Sequence, residues 1–156
     1  MEGSYARLSP EFALVQALEH VPVLTGNISS MQPPKSARPP FAFYIPTADS
    51  ESQDLDGPSG LQKFSAALHI VAATHRHLMS LCSLVKAAVQ GMRGEVYETP
   101  AIDPGDDLKG RVLIEDCEIS QSSPDLYETE VGYYRRVYTV DLDYQTEEVY
   151  EEVISG

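Results

Sequence analysis

The chain has 156 residues, of which 42% are apolar, and this length and composition fit one domain with a single hydrophobic core. It carries 24 acidic and 11 basic residues, a formal net charge of −13, which argues against general nucleic-acid binding because a phosphate backbone needs Lys and Arg to displace its counterions. The sequence contains no apolar run long enough to span a bilayer and no signal-peptide core at its start, so we expect a cytoplasmic protein with no membrane partner.

The first predicted element is a helix over residues 10–20. Ser9 is suited to cap it, Pro10 fits the first helical position, and Glu11 places an acid near the positive end of the helix dipole. Pro22 ends the pattern, since the residue before a proline disfavours helical geometry. The apolar stripe that we expect to face the core consists of Leu14, Ala17, Leu18 and Val21.

Two short strands and a proline-rich connection follow the first helix. Residues 27–31 favour a short strand, and residues 33–40 favour an extended, stiff spacer. Residues 41–45, Phe-Ala-Phe-Tyr-Ile, predict a second and strongly apolar strand, which Pro46 either ends or marks as an edge.

Residues 47–60 are polar and acidic, contain glycine, and stand between two predicted strands. We therefore expect a solvated loop at the tip of a long hairpin. An EF-hand needs ligands at alternate positions, a central Gly and a Glu twelve residues after the first ligand, and the spacing here does not match, so calcium binding is disfavoured. The acidic residues of this loop include Asp49, Glu51, Asp54 and Asp56.

The strongest pattern runs through residues 61–92, where a strand leads directly into a helix. Residues 61–73 alternate with period two, and from Thr74 onward apolar residues recur at helical spacing. The hydroxyl of Thr74 can cap the first turn of that helix. The predicted inner face of the strand consists of Phe64, Ala66, Leu68, Ile70 and Ala72, and the opposite face consists of Lys63, Ser65, Ala67, His69 and Val71. The predicted buried stripe of the helix consists of Leu78, Leu81, Cys82, Val85, Ala88, Val89 and Met92.

The C-terminal half predicts a short strand at residues 96–97, a turn at residues 103–107 and then a long antiparallel hairpin. Its first strand, residues 111–121, alternates with Leu113, Cys117 and Ile119 on one side. Its second strand, residues 127–144, has one face formed by Tyr134, Tyr138, Val140, Leu142 and Tyr144, which Arg136 interrupts. Residues 145–156 are acidic and are either loosely ordered or docked on a neighbouring molecule, and we favour the first.

The sequence offers little catalytic or metal chemistry. His69, His75 and His77 cluster near the start of the second helix, but the last two are two positions apart and point to different sides, so a zinc site is disfavoured. Cys82 and Cys117 favour small buried side chains over a disulfide. There is no nucleophile elbow and no phosphate-binding glycine loop. We expect no enzyme and no cofactor, and a small hydrolase or metal enzyme is the least favoured alternative.

Met79 and Leu84 are apolar residues outside the main stripe of the second helix, which indicates that a second side of this helix is covered, as in a subunit contact. Together the elements predict an α+β fold, a mainly antiparallel sheet of long hairpins with two helices packed on one face. We expect a single domain over residues 1–146, followed by an acidic tail at residues 147–156.

This order of elements resembles the bacteriophage tail terminator, or tail completion, proteins of the lambda U type and their prophage relatives. The resemblance covers about residues 9–144. It rests on the amphipathic helix that ends near Val21-Pro22, the Pro-rich approach to Phe41-Ala-Phe-Tyr-Ile, and the strand that leads directly into the helix of residues 74–92. The final hairpin with Tyr-Tyr-Arg-Arg-Val-Tyr-Thr-Val completes the order.

The resemblance implies a structural virion-assembly protein that forms a homohexameric ring, caps the head-proximal end of a tail, stops tube polymerisation and offers the head-joining surface. Its partners would be copies of itself, the tail tube protein and the head-completion or connector protein, and DNA would pass through the ring without tight binding. It would be in the host cytoplasm before assembly and in the virion tail afterwards. Another tail tube or head–tail connector component of similar fold is the alternative.

The negative charge takes a more specific meaning in such a ring, because an acidic lumen would repel phosphates and let DNA slide. The family supplies no invariant residues for an interface. Our candidate interface residues are Asp49, Glu51, Asp54, Asp56, Ser65, Ala67, His69, Val71, Met79, Leu84 and Arg135.

Overall fold

A computed structural model of the chain describes residues 10–34, 38–54, 57–99 and 108–150. Within these ranges there are two α-helices, α1 (Pro10–Glu19) and α2 (His75–Gln90), and seven strands. The strands are β1 (Ile28–Ser30), β2 (Phe41–Asp54), β3 (Gly57–Ala72), β4 (Val96–Thr99), β5 (Leu108–Gln121), β6 (Leu126–Glu128) and β7 (Tyr133–Tyr150).

All seven strands belong to one curled sheet, which has the form of a half-barrel. Its strand order is β1-β2-β3-β7-β5-β4, and β6 pairs with β7. Only the β1–β2 pair is parallel among the described pairs, and the others are antiparallel. The predicted α+β fold with a mainly antiparallel sheet of long hairpins is therefore confirmed.

Both helices pack on the same face of the sheet. The buried residues of α1 and α2 join one core cluster with the inner residues of β3, which include Phe64, Leu68 and Ile70. The Thr74 hydroxyl accepts a hydrogen bond from the backbone N–H of His77 at 3.1 Å, and this confirms the predicted cap of α2. Ser9, the predicted cap of α1, lies outside the described residues. The buried stripe of α2 within the helix consists of Leu78, Leu81, Cys82, Val85 and Val89.

The loop predicted for residues 47–60 is mostly strand. β2 continues through Pro46 to Asp54, and a shift in register between Pro46 and Ala48 accommodates the proline. The prediction was wrong because backbone hydrogen bonds hold a hairpin together even where its side chains are polar. The backbones of Asp49, Glu51 and Asp54 lie in β2, and Asp56 lies outside the described residues.

A second correction concerns the inner face of β5. The register shifts between Ile114 and Asp116, so the alternation predicted from Leu113 to Ile119 changes phase. Val112 and Ile114, before the bulge, are buried, and so is Cys117, after it. Leu113 is only partly buried and belongs to the opposite face of the sheet.

The last strand is longer than its pattern indicated. β7 runs to Tyr150, with residues 145–150 paired to β5, so the expectation of a loosely ordered segment is wrong for these residues. Residues 151–156 lie outside the described residues. Tyr127, predicted at the start of this strand, is in β6, and a turn with Gly132 at φ +73° separates β6 from β7.

Candidate interaction surfaces

The sheet face opposite the helices, called the outer face here, carries a small apolar patch. Phe41, Phe43 and Val71 are buried in it, and Ile45 and Tyr133 are partly buried against them. Phe41, Phe43 and Val71 are only 6%, 6% and 4% exposed, so this patch is a second, small apolar cluster that the chain itself covers.

His69 belongs to the same patch. Its ring stacks on Phe43, with the ring centroids 4.5 Å apart and the planes 9° apart. Burial and the nearby positive charge of Arg135 lower the pKa of His69 below its usual value. The predicted placement of Ser65, Ala67, His69 and Val71 on one face is confirmed, since their partners in β2 and β7 alternate in the same register.

Arg135 lies next to His69 on the outer face. Its Nη1 contacts Glu128 Oε1 at 2.9 Å, across the β6–β7 pair. Arg135 Nε and His69 Nδ1 are both buried without a hydrogen-bond partner. Buried polar atoms without a partner are uncommon in proteins.

The same face carries an acidic stripe in which acids stand directly opposite one another. Asp116 pairs in register with Asp143, and Glu118 pairs with Asp141. Like charges at directly opposite positions of a sheet are destabilising. With Lys63 and Ser65 they line a cavity of about 240 Å³.

Two contacts moderate this repulsion. The Ser65 hydroxyl donates to Asp141 Oδ1, and the guanidinium of Arg93 contacts Asp116. The hydrogen bond from Arg93 is the first cause that lowers the pKa of Asp116, so this carboxyl is ionised at neutral pH. Sequence reasoning missed the stripe because the facing residues come from strands far apart in the chain, and the bulge in β5 sets which of its acids lie on this face.

Beyond the acidic stripe the sheet divides. The register of β3 on β7 ends at Gln62 and Tyr144, although β3 begins at Gly57 and β7 continues to Tyr150. The β2–β3 arm (residues 48–54 and 57–61) and the β4–β5–β7 arm (residues 96–99, 108–113 and 145–150) therefore extend from the same end of the sheet. The second arm carries an open cavity with a volume of about 660 Å³. It is lined by Val96, Glu98, Arg111, Leu113, Gln145 and Thr146.

The helical side presents a third surface. Met79 and Leu84 of α2 are 52% and 53% exposed, consistent with their predicted position outside the main stripe. In the described part of the chain they are the large apolar side chains of α2 that remain exposed, and they lie on the opposite side of the molecule from the apolar patch.

An ion cluster that the sequence did not predict joins α2 to the sheet. Arg136 donates two hydrogen bonds to Asp125, and His75 Nε2 lies 2.9 Å from Asp125 Oδ2. These contacts, led by the Arg136 hydrogen bonds, lower the pKa of Asp125 to about 2. The available signal was Arg136 itself, since an arginine on the inner face of a strand requires a counter-ion.

The chemistry of the remaining candidates is limited. Burial raises the pKa of the Cys82 thiol to about 11, so it is protonated at neutral pH, and Cys82 and Cys117 are both free and buried. His69 and His75 have separate partners, and in the described ranges no group of three or more His, Cys, Asp or Glu residues could hold a metal ion. No helix in the described part of the chain is long and apolar enough to cross a membrane.

A scan against protein-family models and a search of curated proteins found no match to this chain.

Proposed function

We propose that the chain is a structural virion-assembly protein of the phage tail-terminator type, which closes into a ring at the head-proximal end of a tail. The ring would stop polymerisation of the tail tube and offer a surface for the head-completion or connector protein. The protein would be in the host cytoplasm before assembly and in the virion tail afterwards. The observation that carries the proposal is the acidic stripe of the outer face, Asp116, Glu118, Asp141 and Asp143.

The stripe supports a role in a DNA channel because its facing carboxylates destabilise the single chain. Asp143 faces Asp116 and Asp141 faces Glu118 across the β5–β7 pair, and each such pair destabilises the sheet. In a ring around DNA the same charges would have a use, since a negative wall repels phosphates and prevents the DNA from binding to it. The formal charge of −13 would be multiplied by the number of copies in the ring.

The other surfaces support self-association. A closed ring is built from heterologous contacts, in which two different patches of the same chain meet. Met79 and Leu84, which are exposed on α2, supply one such patch. The second patch would be a strand edge of the sheet arms, where β3 and β7 do not pair with each other among the described residues.

The experiment is to measure the mass of the purified protein by light scattering and to image it by negative-stain electron microscopy, alone and with its tail tube protein. We expect closed rings of six subunits, and tubes of limited length when the protein is added to polymerising tube subunits. A strict monomer under all these conditions would count against the proposal. Long open-ended polymers of the protein alone would favour the alternative, a tail tube component.

The orientation of the stripe gives an independent check. In a structure of the ring, Asp141 and Asp143 should face the lumen. A positively lined channel, or a stripe on the outer circumference, would refute the proposed role of the acidic charge. Flanking genes for a tail tube protein and a head-completion protein would support the assignment from outside the structure.

A further inference from the structure

The end of the sheet opposite the arms carries apolar and aromatic side chains that solvent can reach. Tyr127 of β6, Val131 of the turn after it and Met79 of α2 are each more than half exposed. The Tyr127 ring packs on Tyr134, with ring centroids 4.7 Å apart, and Tyr134 packs on His75 at 5.7 Å. Met79 follows His75 by one helical turn, so it lies on the same side of α2. We call Tyr127, Tyr134, His75 and Met79 the aromatic end, and exposed apolar side chains grouped in this way mark interaction sites.

The charge at the start of α2, beside the aromatic end, is positive. The first turn of this helix contains His75, Arg76 and His77 and no acidic residue, and these side chains stand at the positive end of the helix dipole. Arg76 is exposed and makes no ion pair with any residue that the structure describes. Two acids at this end, Asp125 and Glu128, already contact arginines of β7. A carboxylate from another molecule would therefore find Arg76 without an ion pair.

The β2–β3 arm, at the other end of the sheet, has the complementary charge and an open strand edge. Over residues 48–54, β2 contains Asp49, Glu51 and Asp54 and no basic residue. β1 pairs only with residues 42–44 of β2, so the outer backbone edge of the arm has no partner among the described strands. A two-stranded hairpin is marginally stable in water, and an open edge is a template for another strand.

β6 offers a second open edge, at the aromatic end. It pairs with β7 on one side, and no described strand pairs with its other side. Tyr127 is the central residue of this strand, and its ring connects β6 to the start of α2 through Tyr134 and His75. An extended segment added to β6 would gain backbone hydrogen bonds, contact with an amphipathic tyrosine ring and an ion pair with Arg76.

We propose that the aromatic end of one copy binds the β2–β3 arm of a second copy, with the outer edge of β2 added to β6. The inference rests on the self-association in the proposed function and names the two surfaces that meet. Contacts between two different surfaces repeat from copy to copy, and they close into a ring when the rotation between copies allows it.

The arm must come from another copy because it cannot fold back onto its own aromatic end. The two surfaces lie at opposite ends of the β3–β7 ladder, which has eleven residue pairs from Ala72–Tyr134 to Gln62–Tyr144. β3 extends beyond this ladder from Leu61 to Gly57, so the arm reaches about 17 Å past the shared sheet and can overlap a neighbouring molecule.

The first test reverses the charges of the contact and measures self-association by light scattering over a range of protein concentrations. Arg76→Glu and Glu51→Lys should each raise the midpoint concentration of assembly by about tenfold, because each places like charges opposite one another. The double variant restores opposite charges, so its midpoint should return to within about threefold of the wild type. This recovery cannot result from misfolding of either single variant.

Matched controls separate the contact from the change in net charge. Lys86→Glu changes another exposed base of α2, and Glu95→Lys changes an exposed acid before β4. Both midpoints should stay within about twofold of the wild type, because neither residue belongs to the two surfaces.

The second test removes the aromatic part of the contact. Tyr127→Ala should raise the assembly midpoint by about tenfold, whereas Tyr127→Phe should stay within about threefold because the ring supplies most of the contact area. Val23→Ala, at an exposed apolar residue after α1, is the control and should leave assembly unchanged. Urea unfolding curves of the dilute variants verify that each one is folded.

The third test identifies the occupant by cross-linking with a short bis-maleimide. A mixture of the Ser52→Cys and Leu126→Cys variants should form covalent dimers, and neither variant alone should do so. The native Cys82 and Cys117 are buried and should not react. Dimers from either variant alone, in similar yield, would show a symmetric contact and would overturn the proposal.

The outcomes distinguish this contact from the ring itself. If Arg76→Glu and Tyr127→Ala assemble like the wild type, the contact is refuted and the ring proposal stands. If both weaken assembly but the charge-reversed double variant does not recover and the mixture forms no dimers, another segment occupies the aromatic end and the assignment to the arm is overturned. If the wild-type protein never associates, the ring proposal itself is refuted.

Discussion

Arg136 and Asp125 form two hydrogen bonds on the inner side of the sheet, from Arg136 Nε to Asp125 Oδ1 at 2.7 Å and from Nη2 to Oδ2 at 2.8 Å. Each of the two side chains is less than one-fifth exposed. The same carboxylate lies 2.9 Å from His75 Nε2, and Arg136 Nη1 lies 3.3 Å from the Tyr138 hydroxyl. Asp125 thus joins the segment before β6 to the start of α2 and to the first residues of β7.

The Arg136–Asp125 pair predicts a loss of stability in acid. The pKa of Asp125 is about 2 in the folded chain and lies below its usual value of 3.8, so its contribution is present above about pH 4 and is lost as the pH falls towards 2. Asp125→Asn should therefore lower the free energy of unfolding by about 2 kcal/mol at pH 7 and by much less near pH 2. Urea unfolding curves at pH 7 and at pH 2 measure the difference. The control is Glu130→Gln, at an exposed acid of the β6–β7 turn, which should show no such loss.

Thr74 provides a test of the start of α2. Its hydroxyl accepts the His77 N–H at 3.1 Å, and removal of such a cap costs about 1 kcal/mol. Thr74→Ala should lower the urea midpoint with an unchanged slope, whereas Thr74→Ser keeps the acceptor and should stay close to the wild type. An equal loss in both variants would mean that the methyl group and not the cap is responsible.

Met79 and Leu84 should affect assembly and not folding. Both are more than half exposed, so the double substitution to Ser should change the free energy of unfolding of the monomer by less than about 0.5 kcal/mol. Assembly should nevertheless weaken if this side of α2 is a subunit contact. Leu81→Ala is the contrast on the same helix: this buried residue should cost about 2–5 kcal/mol of stability. Unchanged assembly in the double variant would exclude this side of α2 from the interface.

Cys82 and Cys117 should be inert towards thiol reagents in the native protein. Both are buried, burial raises the pKa of each thiol, and the Cys117 thiol lies 3.1 Å from the carbonyl oxygen of Val89. Labelling of the native protein with a maleimide should be slow at neutral pH. It should be complete after denaturation, when both thiols are exposed and can ionise to the reactive thiolate. Rapid labelling of the native chain at either position would contradict the described burial.

Glu118 tests the cost of the acidic stripe. It stands directly opposite Asp141, so Glu118→Gln should raise the free energy of unfolding by a few tenths of a kcal/mol at low salt. The gain should shrink as the ionic strength rises, because salt screens exposed charges. Glu95→Gln, at an exposed acid before β4, is the control for the change in net charge alone. Equal effects in the two variants would indicate a general charge effect and no specific repulsion in the stripe.

Sequence periodicity was sufficient for the centre of the fold and insufficient at its irregularities. The alternation of β3 and the helical spacing of α2 predicted both faces of each element, because burial on one face imposes the period directly. In β5 the bulge near Glu115 shifts the phase, and no local residue pattern signals where such an insertion falls.

Only some residues of the candidate interaction surfaces could be predicted from the sequence. His69 and Val71 could be placed on the outer face from the alternation of β3, and Met79 and Leu84 from the helical spacing of α2. The stripe that joins Asp116 to Asp143 depends on pairing between distant strands, which composition and period do not encode. Arg136 interrupts the predicted apolar face of β7, but no local pattern in the sequence identifies Asp125 as its partner.

The division of the sheet beyond Gln62 and Tyr144 determines how the molecule would bear a mechanical load. A force that separates the tips of the two arms acts on the β3–β7 ladder from one end and opens its cross-strand pairs one after another. A force along the strands acts on all eleven residue pairs of this ladder, from Gln62–Tyr144 to Ala72–Tyr134, at the same time. The sheet is therefore weak against spreading of its arms and strong against axial shear.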